Sequence, residues 1–549
     1  MDELKERHKT FAYAKKDERI LLAKKILQNV REEKWCSAGN WVEKSCDLEG
    51  IVSNKKDYAA MTRFYFASIV KTWLETFIYG KPLSGVCSRK FDEQTGLFGP
   101  FKMDQGMSFD LFWDISMSPL LEKIYGYKEN CEPGTVSLVL GAGNANFLSI
   151  IDIFERVFRH KECVFFKHHP IRPFLFEPYY YLLKPLMMEN ILYMVLDETS
   201  FYTDNVISNS LVSHIHFTGS VKTLNSISHK TKARITSELG CVTPWIVLPG
   251  SWTQSELKKA ASQIVFAKLA GGGALCMSPQ VVLLSNEWDQ KLQFQECLRD
   301  EFSRQESPYS YYPGSPQRKQ ELKRLYSDAI LCVPGKKTIN DVVIVDMGSF
   351  SNFYKYNASK EKWEYGGIFE SDGCKYNNFC LQNEAFCPFL AICKVSHAWQ
   401  SIDDYVVEVC RFANEQLNGS LSCVVLAPKS ASNTHVKMCV HRLKYGTISI
   451  NAWSMFGYLA AMSGGTWGTY FENNQSGRGR IGNLLHVNNV TKTILYGKPI
   501  EKFSGRLLPP AIVMDLLLIL NIRCTTFLSK ITSVVKYFLS RLFILSRPI

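Results

Sequence analysis

Apolar residues recur at two different spacings along this chain. Over residues 1–34 they fall at Phe11, Ile20, Leu21, Ile26, Leu27 and Val30 among many lysines and arginines. That is the period of an exposed amphipathic helix. Further on the pattern changes to short runs rich in Val, Ile and Leu, at 135–140, 163–166, 191–195, 214–217 and 245–248. Runs of this length bounded by turn residues predict buried strands, and the helix-length segments between them predict a parallel sheet covered by helices. A second alternating set covers 280–426, and no internal repeat or low-complexity linker divides the chain. The expected fold class is α/β, with two halves that interlock.

Composition narrows the class. A chain of 549 residues exceeds the usual size of one domain, so two or three domains with substantial cores are expected. Hydrophobic residues at 46% and charged residues at 21% exclude a disordered protein. The net charge of +12 comes from scattered residues without a basic tract. It reads as a solvated surface, and no nucleic-acid partner is expected. Cysteine is abundant, 17 in all, but forms no CxxC pair. This argues against a disulfide framework and a zinc site, and fits reduced thiols in the cytosol. The charged start MDELKERHKT has no apolar run behind it, so no secretory signal is expected.

The run 135–140 ends in Gly141-Ala142-Gly143-Asn144, a strand opening into a tight loop. The glycines begin like a dinucleotide fingerprint, but Asn146 stands at the third glycine and the next strand ends in Lys167 rather than an acid. A standard dinucleotide fold is disfavoured.

A series of short segments carries more. His216-Phe217-Thr218-Gly219-Ser220, Ser237-Glu238-Leu239-Gly240, Gly272-Gly273-Ala274-Leu275-Cys276 and Glu384-Ala385-Phe386-Cys387-Pro388 follow in one order, with Asn144 and Lys167 ahead of them. Gly446-Thr447-Ile448-Ser449-Ile450-Asn451, Trp453 and Gln475-Ser476-Gly477 close the series. Over residues 120–500 the chain resembles the aldehyde dehydrogenase superfamily. The resemblance implies a parallel-sheet cofactor domain with N-terminal helices (1–240), interlocked with an α/β catalytic domain (241–450). A C-terminal arm for oligomerisation (451–510) and a hydrophobic or amphipathic helical tail (511–549) follow.

It also implies roles. Cys276 is the nucleophile that attacks an aldehyde carbonyl, because a thiolate is the strongest side-chain nucleophile near neutral pH. Small neighbours at 271–274 allow close approach. The amide of Asn144 and the backbone N–H of Cys276 meet the oxyanion, and Glu238 activates the water that releases the acid. The pyrophosphate of a nicotinamide cofactor lies at the helix start near Gly219 and Ser220. Lys167 and Glu384 take the two riboses, and Phe386 packs beside the ring. Plainer readings stand beside these: an inert buried thiol at 276, a turn asparagine of positive φ at 144, a strand-capping glutamate at 238 and a core phenylalanine at 386. The family usually has Pro-Trp before the asparagine. Here Ala142-Gly143 stands in its place, which implies a looser loop.

Pro170 occupies the position where NAD-selective members usually carry a glutamate. Nothing anionic excludes NADP, and Arg172 is a candidate partner for its 2′-phosphate, so NADP or NAD is the expected cofactor. The reaction expected is aldehyde to carboxylic acid. The alternatives are CoA-acylating chemistry, suggested by His168-His169-Pro170 and opposed by Glu238, and a non-catalytic scaffold. Phe147, Trp453, Phe456 and Trp467 suit a hydrophobic aldehyde or a packed core equally well. A homodimer through residues 480–500 is implied.

The tail lies beyond the resemblance. Pro509 and Pro510 mark the end of the globular part, and 511–522 is apolar but too short to span a bilayer, which needs about twenty residues. In 527–545 a Phe/Leu face opposes Lys530, Ser533, Lys536, Ser540 and Arg541. Such a helix either lies in a membrane interface or docks on protein. The first reading places the chain in the cytoplasm, bound at the cytosolic face of a membrane.

Overall fold

The computed structural model of the protein describes residues 2–32, 34–80, 90–92, 97–104, 108–114, 135–197, 201–305, 309–331, 342–357, 362–370, 379–396, 401–462, 465–470, 474–484, 490–497 and 510–523. Each of the five predicted runs is a strand: Val136–Leu140, Cys163–Lys167, Leu192–Val195, Val212–Thr218 and Pro244–Val247. The first two are buried at every residue. That is why they read as unbroken apolar runs rather than as alternation.

Four of the five strands, joined by Arg234–Glu238, form the smaller sheet. Its parallel order runs Arg234–Glu238, Val212–Thr218, Val136–Leu140, Cys163–Lys167, Leu192–Val195, and Gly477–Arg478 adds antiparallel at one edge. The first strand in sequence therefore lies in the middle. The chain steps outward from it on one side, then returns to the other. Open α/β sheets place their ligand crevice at such a switch point, beyond the carboxyl ends of the strands. Here those ends lead into Gly141 and Gly219.

Pro244–Val247, the fifth run, instead sits inside a larger sheet of twelve strands. It lies between Ser422–Leu426 and Val281–Ser285 in a parallel stretch that continues through Phe389–Val395 to Val343–Asn357, and on the other side through Thr447–Ile450 to Lys492–Tyr496. Antiparallel strands cover both ends. The strand Lys492–Tyr496, part of the expected oligomerisation arm, is built into this chain's own sheet.

The N-terminal reading needs correction. Residues 1–34 contain two helices, Asp2–Phe11 and Lys16–Arg31, not one. Nor is the apolar side free: Phe11, Ile26, Leu27 and Val30 are buried against the body, and Leu21 alone of the six is exposed. The long helix Lys55–Tyr79 runs beside Lys16–Arg31, while Asp2–Phe11 packs on the smaller sheet. Its Phe66 packs among Trp35, Trp41 and Tyr179 at ring distances of 5.2–6.2 Å.

A second correction concerns the prolines. The folded body continues past Pro510 as the helix Ala511–Leu518 and the turn Ile519–Arg523, laid along Lys55–Tyr79. Met514, Leu518 and Ile522 recur every four residues and are buried. Each such side chain contributes about 1.5–3 kcal/mol. This outweighs the partly exposed Arg63–Asp515 pair at 3.4 Å, a type of contact worth at most about 1 kcal/mol. The amphipathic pattern at 527–545 lies outside the described residues. No helix among the described residues is long and apolar enough to cross a membrane.

Candidate active site

Cys276 follows the glycine turn that ends the helix Gln254–Leu269, a helix started by a Thr253–Glu256 capping box. Gly271, Gly272 and Gly273 have φ of +56°, +61° and +74°, a region that side chains disfavour. A Cβ at Gly273 would also fall 2.6 Å from the carbonyl of Cys387. The glycines thus let this turn press against the segment carrying Glu384. Thr243 Oγ1 then fixes the turn by donating to the Cys276 carbonyl at 3.1 Å.

The Cys276 thiol lies 3.8 Å from Glu238 Oε1. Glu238 ends its strand beside Gly477, and Trp467 Nε1 donates to the same oxygen at 2.7 Å. Burial pushes the Glu238 carboxyl up to about 7, partly offset by the Trp467 bond. Burial, then the charges of Glu238 and Glu384, pushes the Cys276 thiol well above its ordinary value. A protonated thiol therefore sits beside a carboxyl that changes charge near neutral pH. Behind Glu238 a cavity of about 30 Å³ is bounded by Trp467, Asp152 and His216, room for about one water molecule. His216 Nε2 lies 3.2 Å from Asp152 Oδ1 across it.

Asn144 is 8% exposed and lies in the bend after Val136–Leu140 but outside the left-handed region, so a positive φ is not what calls for asparagine there. Its loop is tied down by Ser149 Oγ, which accepts from Ala142 N at 3.0 Å, and by Gly141 N donating to the Lys167 carbonyl at 2.9 Å. Arg172 is spent in the same interior. It is 1% exposed, and its guanidinium bonds to the Gly143 carbonyl, Asn146 and Glu49. It is not available to a cofactor's 2′-phosphate, which corrects the sequence reading.

Cys276, Glu238 and Asn144 open on one cleft of about 800 Å³, and Lys167, Gly219, Ser220, Glu384 and Phe386 line it too. All eight sequence candidates thus meet in one place. Lys167 ends its strand at the cleft, and burial lowers its pKa. Ser220 caps the helix Val221–Ser228, accepting from Thr223 N at 3.2 Å, so the first N–H groups of that helix begin at the cleft. Glu384 Oε1 is buried without a partner, and burial pushes this carboxyl up to about 8. A Cβ at Gly240 would lie 2.2 Å from Glu384 Oε2, and one at Gly143 would lie 2.5 Å from the His169 ring. An orphaned acceptor, a lysine, a helix start and glycine walls fit a dinucleotide with two riboses and a pyrophosphate. Phe386 has a φ of +50°, uncommon for a bulky residue and a mark of constrained backbone. Ser315 Oγ donates to its carbonyl at 2.5 Å.

Sequence reasoning missed two contributors. Trp467 was read with the substrate-side aromatics but serves as a donor to Glu238, from 229 residues away. Arg318, on the helix Ser315–Leu325, lines the cleft with its Nε buried and without a hydrogen bond. Nothing local in the sequence marks either. The other three aromatics pack inward: Phe147 on Tyr458 at 5.5 Å, Trp453 edge-on to Phe266 at 5.6 Å, and Phe456 against the main core.

Residues 187–304 match the model of the aldehyde dehydrogenase family. No curated protein matches the chain. Among solved structures it is similar to an aldehyde dehydrogenase from Pseudomonas aeruginosa, at 12% identity over 90% of this chain and 87% of that one, with a TM-score of 0.59. An NADP-dependent glyceraldehyde-3-phosphate dehydrogenase from Bacillus halodurans, complexed with NADP, is 16% identical over 90% and 89%, with a TM-score of 0.58. A gamma-glutamyl-gamma-aminobutyraldehyde dehydrogenase from Burkholderia cenocepacia is 15% identical over 90% and 87%, also at 0.58. At these identities the likeness is one of fold. That fold extends over nine-tenths of the chain, and the family match spans the segment from Gly219 through Glu238 to Cys276: the chain has the fold of these aldehyde dehydrogenases.

Proposed function

We propose that this chain oxidises an aldehyde to a carboxylic acid with NADP or NAD as the acceptor. The observation that carries the reading is the Cys276 thiol at 3.8 Å from Glu238, at the inner end of a cleft with the orphaned carboxylate oxygen of Glu384. Glu238 takes the thiol proton, since burial disfavours a free thiolate while the same carboxyl is half ionised near pH 7. The sulfur attacks the carbonyl carbon, forming a C–S bond and an oxyanion that accepts from Asn144 and the Cys276 N–H. A nicotinamide cofactor held by Lys167, Glu384 and the helix start at Ser220 would supply the hydride acceptor for that carbon, and Cys276 would then carry the acyl group as a thioester. Once Glu238 has released that first proton to solvent, water attacks the thioester, gives a proton to Glu238 and expels the thiolate, which Glu238 reprotonates; the acid formed ionises. The balance is aldehyde, water and oxidised cofactor to carboxylate, reduced cofactor and two protons.

Lys167 and Glu384 would hold the two riboses, and the helix start at Ser220 the pyrophosphate. NADP is accepted at least as well as NAD, because Pro170 offers no charge to repel a 2′-phosphate. Asp204, which also lines the cleft, is neutralised by Lys230 at 2.9 Å. Water rather than CoA is the acceptor, on the strength of Glu238 beside the thiol. The test is cofactor reduction over an aldehyde panel, with and without CoA. Reduction without CoA supports the reading, and reduction only with CoA overturns it.

The chain also binds a membrane surface through its tail, near hydrophobic aldehydes. Ile512 and Val513 stay 39% and 42% exposed on the outer side of the docked helix, and the amphipathic sequence at 527–545 follows. A homodimer is the proposed assembly, checked by sedimentation velocity.

A further inference from the structure

The loop that presents Asn144 lacks the Pro-Trp that would stiffen it, yet it is fixed from beneath. The fixing group is Arg172, which leaves the turn after Cys163–Lys167 and points into the interior. Its Nε donates to the Gly143 carbonyl at 2.6 Å, and Nη2 reaches the Asn144 carbonyl at 3.4 Å. Nη1 donates to Asn146 Oδ1 at 2.6 Å and to Ser45 Oγ at 3.2 Å. Nη2 also bonds Glu49 Oε1 at 2.8 Å and the Tyr311 hydroxyl at 3.0 Å. Tyr311 in turn donates to the Asn144 carbonyl at 3.1 Å, and Tyr179 donates to the Asn146 carbonyl at 2.8 Å.

Three successive features of one loop, at 143, 144 and 146, thus hang on a single planar cation. Glu49, just past the helix Trp41–Leu48, balances its charge. A guanidinium offers five donors in a rigid fork, and this one is engaged on every nitrogen. A buried charge is tolerated when it is paired and hydrogen-bonded in this way. A lysine offers three donors from one point, and could satisfy Glu49 or the loop but not both.

We propose that Arg172 is a positioning residue. It clamps the Gly143–Asn146 backbone so that the Asn144 amide is preset for the oxyanion, and it anchors that loop to the N-terminal helices through Glu49. The inference rests on the proposed role of Asn144. It assigns Arg172 to orientation rather than to cofactor selection.

The experiment uses the full chain in wild-type, Arg172→Lys, Arg172→Ala, Tyr311→Phe and Asn144→Ala forms. Loss of one preset oxyanion donor costs about a hundredfold or more in rate. Arg172→Lys is therefore expected to lower kcat by about tenfold to a hundredfold, with KM for NADP changed less than about threefold. Guanidinium ion added below denaturing concentrations should restore part of the Arg172→Ala rate. If Arg172→Ala does not fold, Arg172→Lys and Tyr311→Phe carry the test. Tyr311→Phe should also lower kcat, by less than Arg172→Lys, and unchanged kcat in both variants overturns the proposal. So does a rise in the NADP KM with kcat intact, which would make Arg172 a cofactor residue.

Hydrogen exchange of the 141–146 amides reads the clamp without any catalysis. Exchange about tenfold faster in Arg172→Lys supports it, and unchanged exchange sinks it. Full activity in Asn144→Ala would instead remove the oxyanion reading while leaving the clamp standing.

Discussion

Burial governs the charge of both Glu238 and Cys276, and on the proposed chemistry this makes turnover pH-dependent in a definite direction. Glu238 is pushed up to about 7 by burial. Below that pH it is protonated and cannot accept a proton from the thiol or from water. Turnover is expected to fall as pH drops through about 7 and to level off above it, read from the pH profile of kcat. A profile flat from pH 6 to 8, checked over that range at about one-unit steps, would remove Glu238 as the base. Cys276→Ser should cut oxidation by about a thousandfold or more while leaving NADP binding by fluorescence nearly intact. Both residues were reached in the sequence through the family resemblance, each lying in a short segment that carries it: a glycine run before the thiol, and Glu-Leu-Gly at the carboxylate. Arg172 and Trp467 were not. Their partners lie far away in the chain, Glu49 for one and Glu238 for the other, and no spacing rule connects them.

At the scale of elements, strands were easier to read than helix boundaries. Val136–Leu140 and Cys163–Lys167 are buried on both faces, so apolar runs announced them. The break between Asp2–Phe11 and Lys16–Arg31 falls at Ala12-Tyr13-Ala14-Lys15, where no glycine or proline marks it. Pro509 and Pro510 misled in the opposite sense, since a proline before a helix start is compatible with that helix. Ala511–Leu518 therefore continues the body. Truncation after residue 523 is expected to leave Tm unchanged in calorimetry. Truncation after residue 510 should lower it, because Met514, Leu518 and Ile522 each contribute about 1.5–3 kcal/mol. Equal Tm values for the two truncations would show that the docked segment adds nothing. For the tail itself, flotation with anionic vesicles should carry the full chain and leave the version ending at 523 behind. Equal flotation of the two would contradict the anchor.

In the whole molecule, the site exists only because two sheets meet. Glu238 closes a strand of the smaller sheet, while Cys276 leads into Val281–Ser285 of the larger. The sequence announced two alternating sets and an interlock. It could not announce that Pro244–Val247 leaves the first set for the middle of the second sheet, because strand order is a long-range property. The cofactor choice belongs to this scale as well. Paired titrations should give a KM for NADP no higher than that for NAD, and a strong preference for NAD would contradict the reading of Pro170. The most direct measurement of the central claim traps the acyl group. Wild type mixed with an aldehyde and NADP and quenched in acid during the first turnover should carry a covalent adduct seen by intact mass and mapped by peptide digestion. The predicted result is the mass of the aldehyde less two hydrogens, carried on Cys276 and absent from Cys276→Ser. An adduct on another cysteine, or steady NADPH formation by the wild type with no acyl group ever found on Cys276, would contradict the account.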